Sequence, residues 1–155
     1  MNPEPTLQMP GQWSTFAPQV DWLFYLIYWM SVILFVVIIG AALYFVWKYR
    51  RKPGVTAEPT GHNLPLEVGW TVAPLFFLAL LFHWGFQGYV DLTVAPANAM
   101  EIRVRGKKWS WDFEYPNGAH RTNELHVPVN RPVKLIISSD DVLHAMFIPA
   151  FRVKR

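Results

Sequence analysis

From Trp22 to Trp47 the chain runs for 26 residues without a formal charge, WLFYLIYWMSVILFVVIIGAALYFVW. At ~1.5 Å of rise per residue, a helix of that length exceeds a ~30 Å hydrocarbon core, so the run predicts a transmembrane span with some tilt or interfacial overhang. Trp22, Tyr25 and Tyr28 near one end and Tyr44, Trp47 and Tyr49 near the other fit the aromatic belts of the two interfaces. A cleaved signal peptide is disfavoured because a positive leading segment is missing and the run is too long. A second apolar run, GWTVAPLFFLALLFHWGFQGYV from Gly69 to Val90, predicts a second span with Pro74 in its first turns. His83 and Gln87 lie four apart, hence on one face of that helix. Polar groups in a span normally face protein, which predicts a larger membrane partner. Interhelical hydrogen bonding and a proton relay through His83 are the two readings of that face.

After Asp91 the pattern shortens. AMEIRVRG alternates, KWSWDFEY alternates aromatic with polar, PNG (Pro116–Gly118) marks a turn, and PVKLIISS reads as a more buried strand. The apolar residues around His144 look strand-like as well. These elements predict an all-β sandwich or Greek-key domain. Residues 91–155 fall well short of a typical ~100-residue sandwich, so the domain is expected to be incomplete in this chain. The expected organisation is therefore a tail (1–21), a two-helix hairpin (22–90) with a connecting loop (48–66), and the β-region (91–155).

Composition and charge then orient this plan. The net charge of +3, from 14 basic and 11 acidic residues, is too mild and too scattered to argue for nucleic acid. Lys48, Arg50, Arg51 and Lys52 lie in the loop while the tail before Asp21 has no Lys or Arg, so the loop is expected in the cytoplasm and both termini outside. There is no cysteine, which excludes disulfides, cysteine nucleophiles and thiolate metal sites within these residues. Trp109, Trp111, Phe113 and Tyr115 fall at period two on one strand face, a stripe that reads either as core or as an electronic route.

Three stretches carry a family resemblance: LEVGWTVAP opening the second span, GKKWSWDFEYPNG, and ELHVPVNRPVKLIISSDDVLHAMFIPAFRVKR. With two spans ahead of them, they resemble subunit II of the haem–copper terminal oxidases, in particular of cytochrome c oxidase. The resemblance implies a membrane α-helical hairpin followed by an extramembrane all-β, cupredoxin-like domain. It places the chain in a bacterial plasma membrane or an equivalent inner membrane, with the β-domain on the periplasmic side. The implied partners are subunit I, which holds haem and CuB, other oxidase subunits, and cytochrome c. Electrons would pass from cytochrome c through a dinuclear copper centre, CuA, to haem in subunit I, where oxygen reduction is coupled to proton translocation. The chain would catalyse nothing alone.

Residue by residue, His144 matches the first histidine ligand of CuA, although without the resemblance it reads as a core histidine. A neutral imidazole in an apolar shell suits copper. Trp109 matches the exposed tryptophan that accepts electrons, with Trp111 its buried neighbour. Asp112, Glu114, Asp140 and Asp141 fall where the family places acids that steer a basic cytochrome c. Lys107, Lys108, Arg103 and Arg105 stand close by. Glu67 matches a glutamate at the cytoplasmic entrance of a proton pathway, and by position alone is a dipole-favoured acid at a helix start. His120 and His126 match no ligand and are expected on the surface; Met146 is expected to be packing. The family's two cysteines, second histidine and methionine have no counterpart in this sequence, and truncation is the expected reason rather than loss of the centre. Two rival readings stay open: the CuA-less subunit II of a quinol oxidase, and a membrane-anchored β-domain that handles copper or assembles complexes.

Overall fold

The computed structural model describes residues 4–56 and 59–155, which divide into two units, Met1–Val20 with Gln87–Arg155 and Asp21–Phe86. Helix α1 spans Ala17–Lys48 and helix α2 spans Leu64–Thr93, both long and apolar enough to cross a membrane. Each starts ahead of its uncharged stretch because capping, not apolarity, sets that end. Ser14 Oγ accepts from the Ala17 amide at 3.1 Å, and Asn63 Oδ1 accepts from the Leu66 amide at 3.2 Å. The early start of α2 corrects the expected place of Pro74, which lies inside the helix, not in its first turns. There its ring removes the donor that the Trp70 carbonyl would otherwise use. Within the hairpin, Trp22 and Trp84 meet edge to face at 4.9 Å between ring centroids. Most span side chains point away from protein, and His83 and Gln87 are exposed with no side-chain hydrogen bond among the described residues.

The β-region forms a four-stranded sheet in the order β3-β2-β1-β4 from β1 (Met100–Lys107), β2 (Ser110–Glu114), β3 (His120–Thr122) and β4 (Val133–Ser139). β1 pairs antiparallel with β2 but parallel with β4, in a register that sets Ile102 against Leu135 and Val104 against Ile137. Period-two alternation decides the faces. Ile102, Val104 and Phe113 are buried with Met146, flanked by Trp111, Tyr115, Leu135 and Ile137, while Arg103, Arg105, Asp112 and Glu114 take the other face. The turn at PNG forms as read, with Gly118 at φ +77° and its amide donating to the Tyr115 carbonyl at 2.9 Å. Two short strands, β5 (Phe147–Ile148) and β6 (Val153–Lys154), flank a 3₁₀ turn at Pro149–Phe151 and make a separate antiparallel pair.

Two sequence expectations are corrected here. The residues around His144 belong to no strand; they form an extended link between β4 and β5, in which Met146 exchanges both backbone hydrogen bonds with Arg155. The aromatic stripe breaks at its first member, since Trp109 sits in the β1–β2 turn and is 96% exposed while Trp111, Phe113 and Tyr115 face the core. The N-terminal tail packs on this region. The Trp13 amide donates to the Ala150 carbonyl at 3.0 Å, Ser14 Oγ donates to the Phe151 carbonyl at 2.8 Å, and Arg152 Nη2 donates to the Pro10 carbonyl at 2.6 Å.

Candidate functional site

The β1–β2 hairpin closes through a two-residue turn, Lys108–Trp109, between the paired residues Lys107 and Ser110. Trp109 holds φ +77°, a left-handed conformation that is a genuine outlier for a bulky side chain and costs about 1–3 kcal/mol. Something must hold the turn, and the Asp141 carboxylate does so. Its Oδ2 accepts from the Lys108 amide at 2.8 Å, and its Oδ1 accepts from the Val142 amide at 2.7 Å. The same Oδ1 lies 2.6 Å from His144 Nε2. One carboxylate thus ties the exposed tryptophan's turn to the histidine. Those hydrogen bonds, the imidazole's first and then the amides', hold the Asp141 carboxyl down to about 2 from an ordinary 3.8.

His144 is only 22% exposed at its side chain. Trp111 meets its ring at 5.9 Å in an edge-on arrangement. The ring lies so close to β1 that a Cβ on Gly106 would come within 3.1 Å of both its Cβ and Cδ2. Glycine at that position is what lets the imidazole settle against the sheet. An ionised carboxylate only accepts, so the ring proton belongs on Nε2, and the neutral tautomer leaves the Nδ1 lone pair for a ligand. That fits one ligand position of a metal centre and no more. No group of three or more His, Cys, Asp or Glu converges among the described residues, and the sequence supplies no thiolate. These residues by themselves do not make a dinuclear, thiolate-bridged copper site.

The other acids near the turn are engaged as well. Asp140 Oδ1 lies 3.5 Å from Arg105 Nε, Glu114 Oε1 lies 3.9 Å from Arg103 Nη1, and Asp112 pairs with Lys107. Asp112 also accepts from Thr122 Oγ1 at 2.9 Å, and its carboxyl is held below the usual range by Lys107 first and Thr122 second. Lys108 is exposed and has no side-chain partner among the described residues. Val142 and Leu143, next to Asp141, are 52% and 100% exposed.

Glu67 belongs to the hairpin unit, in the first turn of α2, with Oε1 3.2 Å from Nδ1 of the exposed His62. The structure brings Trp109, Asp141 and His144 together and shows Asp112, Glu114 and Asp140 on the charged face of the sheet. His120 and His126 are exposed, and Met146 lies in the core. Sequence reasoning missed Asp141 as the brace and Gly106 as the seat of the ring. The Asp-x-x-His spacing was the available signal for the first; nothing local announced the second.

Residues 4–87 match the family described as cytochrome c oxidase subunit II, transmembrane domain. Similarity extends beyond the hairpin. The chain is 27% identical over 202 residues to the cytochrome c oxidase subunit 2 of Thermostichus vulcanus, covering 95% of this chain and 62% of that one. It is 32% identical over 146 residues to the corresponding protein of Alkalihalophilus pseudofirmus, covering 86% of this chain and 43% of the relative. A protein named alternative cytochrome c oxidase subunit 2 in Bradyrhizobium diazoefficiens is 25% identical over 179 residues, covering 94% of this chain and 65% of the relative. The chain therefore spans about three fifths or less of the length of several relatives it matches.

Proposed function

The chain belongs to the cytochrome c oxidase subunit II family, and we propose that it serves as that subunit of a respiratory oxidase, anchored by its hairpin and receiving electrons from a cytochrome c at the Trp109 turn. The observation that carries this reading is the juxtaposition of a fully presented, strained tryptophan with a histidine through one carboxylate. A delocalised ring at the surface, backed by packed protein, suits electron acceptance. The brace keeps donor-facing and interior groups in fixed register, which limits reorganisation.

His144 is the residue of this chain that would hold one ligand position of a copper centre. Such a centre would supply one-electron chemistry beside Trp109. The chain's own residues orient that ligand: Asp141 holds the proton on Nε2, Trp111 walls the ring, and Gly106 admits it to the sheet. Haem, CuB and oxygen chemistry belong to subunit I.

Glu67 is proposed as a proton-pathway entrance, supported by its position in the first turn of α2 beside the basic loop. The positive-inside rule puts that loop in the cytoplasm. The tail packed on the β-domain supports a common side for both, the outer, periplasmic one. His83 and Gln87, exposed on α2, are proposed to face the larger membrane subunit.

The reading is tested by oxygen uptake in membranes that contain the assembled complex. Reduced cytochrome c is expected to drive uptake, and the complex to show the near-infrared absorption of CuA. Uptake driven by quinol alone, without that absorption, would instead support the quinol-oxidase alternative.

A further inference from the structure

We infer that Arg152 is a positioning residue: its guanidinium locks the N-terminal tail onto the segment that follows His144 and makes the tail part of the mounting of that histidine. The lock stands on geometry alone, while its consequence for His144 rests on the ligand reading above.

Arg152 closes the 3₁₀ turn at Pro149–Phe151 in the left-handed conformation, at φ 59° and ψ 29°, with its amide donating to the Pro149 carbonyl at 3.1 Å. Glycine enters that conformation freely and a long side chain seldom does, so the turn alone favours glycine. The arginine's side chain supplies the offset. Its Nη2 donates to the Pro10 carbonyl at 2.6 Å, and its Nη1 donates to the Pro149 carbonyl at 2.8 Å and the Gly11 carbonyl at 3.4 Å. One planar fork thus joins the tail to the turn through charge-assisted bonds. Beside it the tail runs along the same turn, where the Trp13 amide donates to the Ala150 carbonyl and Ser14 Oγ to the Phe151 carbonyl.

The turn is tied in its other direction to the residues after His144. β5 and β6 pair Phe147 with Lys154 and Ile148 with Val153. Met146 and Arg155 extend that pairing by exchanging both backbone hydrogen bonds, at 2.6 and 3.0 Å. Met146 is packed in the core with Ile102, Val104 and Phe113, two residues beyond His144. At the far end of the same segment Arg155 Nη2 donates to Thr93 Oγ1 at 2.7 Å, and its guanidinium lies 5.5 Å from the centre of the Tyr89 ring. Residues 146–155 are therefore held between the tail leading into α1 and the last turns of α2. Of these ties, the Arg152 fork is the one that reaches the tail through a single replaceable side chain.

The test is hydrogen exchange of the full chain in detergent, native against Arg152→Gly, which keeps the left-handed turn and deletes the guanidinium. The Trp13 amide is expected to exchange at least about tenfold faster and the Met146 amide about threefold or more, with Phe113 within about twofold of native. Millimolar guanidinium ion, refilling the space between the carbonyls, is expected to restore slow exchange, and an equal concentration of sodium ion is not. If Arg152→Gly yields too little folded protein, Arg152→Lys, which keeps the cation without the planar fork, is read in the same way with smaller accelerations. Unchanged exchange at Trp13, equal acceleration at Phe113, or no recovery with guanidinium would overturn the lock. In the assembled complex the near-infrared copper band is expected to shift in Arg152→Gly and to return with guanidinium. An unmoved band beside a loosened tail would overturn the link to His144, whereas absence of the band from the native complex would overturn the ligand reading and leave the lock to the exchange result.

Discussion

In the hairpin, Phe35 and Phe82 stand 64% and 72% exposed, whereas in the β-domain Ile102 and Val104 are fully enclosed. Both regions are built from apolar repeats, but they resolve them differently. A transmembrane helix satisfies its backbone internally and leaves its side chains to lipid and neighbouring helices, so its stability hardly depends on contacts within this chain. A strand satisfies its backbone only through another strand, so the β-region depends on Met100–Lys107 finding both Ser110–Glu114 and, parallel and distant in sequence, Val133–Ser139. The site sits in the second kind of structure. Trp109 and His144 are positioned by long-range pairings, and substitutions that loosen those pairings should reach the site while leaving the hairpin unmoved.

The largest contrast should come from the core. Ile102→Ala is expected to destabilise the β-domain by about 2–5 kcal/mol, while Phe35→Ala stays within about 0.5 kcal/mol in detergent. Denaturant titrations followed by tryptophan fluorescence would check both, and equal losses would erase the distinction. Next is Gly106→Ala, whose new methyl meets the His144 ring at 3.1 Å and should cost about 1–3 kcal/mol while displacing the imidazole. His144 ring resonances in an NMR spectrum should shift, and an unchanged ring would mean that the close approach is not required.

Trp109→Gly works in the opposite direction. Relief of the positive-φ strain should stabilise the β-domain by about 1 kcal/mol, less the entropy glycine gains on unfolding, while removing electron acceptance. A thermal melt paired with cytochrome oxidation would show stability and activity moving apart; a destabilised variant would mean that the turn is not strained. The smallest effect is titration of the brace. The folded Asp141 carboxyl lies below its ordinary value, so its stabilisation is present above about pH 4 and is lost as pH falls through about 2. The Lys108 amide proton should move with a midpoint near 2 in the native protein, and lose that step in Asp141→Asn.

The hairpin was readable because its signal is local. Charge-free length predicts each span, and the caps at Ser14 and Asn63 move the two helix starts outward. The strands β1, β2 and β4 were readable from alternation, and the PNG turn from its residues. The parallel β1–β4 pairing was not, because alternation tells which face a residue takes and nothing about its neighbouring strand. β3 was missed because His120–Thr122 is short and exposed throughout. The site divides along the same line. Trp109 and His144 could be named from their motifs, but the stripe containing Trp109 concealed the turn that projects it. The pairing of Glu114, Asp140 and Asp112 with basic neighbours also required the register of Arg103 with Glu114 and of Arg105 with Asp112 and Ser138.

The central claim is that electrons reach this chain at Trp109, held at the surface by Asp141. Stopped-flow oxidation of reduced cytochrome c by the assembled oxidase, native against Trp109→Ala, tests it most directly. Transfer from cytochrome c should slow by at least about tenfold, a loss of roughly 1.4 kcal/mol or more in the transition state. Oxygen reduction driven by a small reductant that bypasses the docking surface should be unchanged. Equal cytochrome c oxidation by the two proteins would contradict the account.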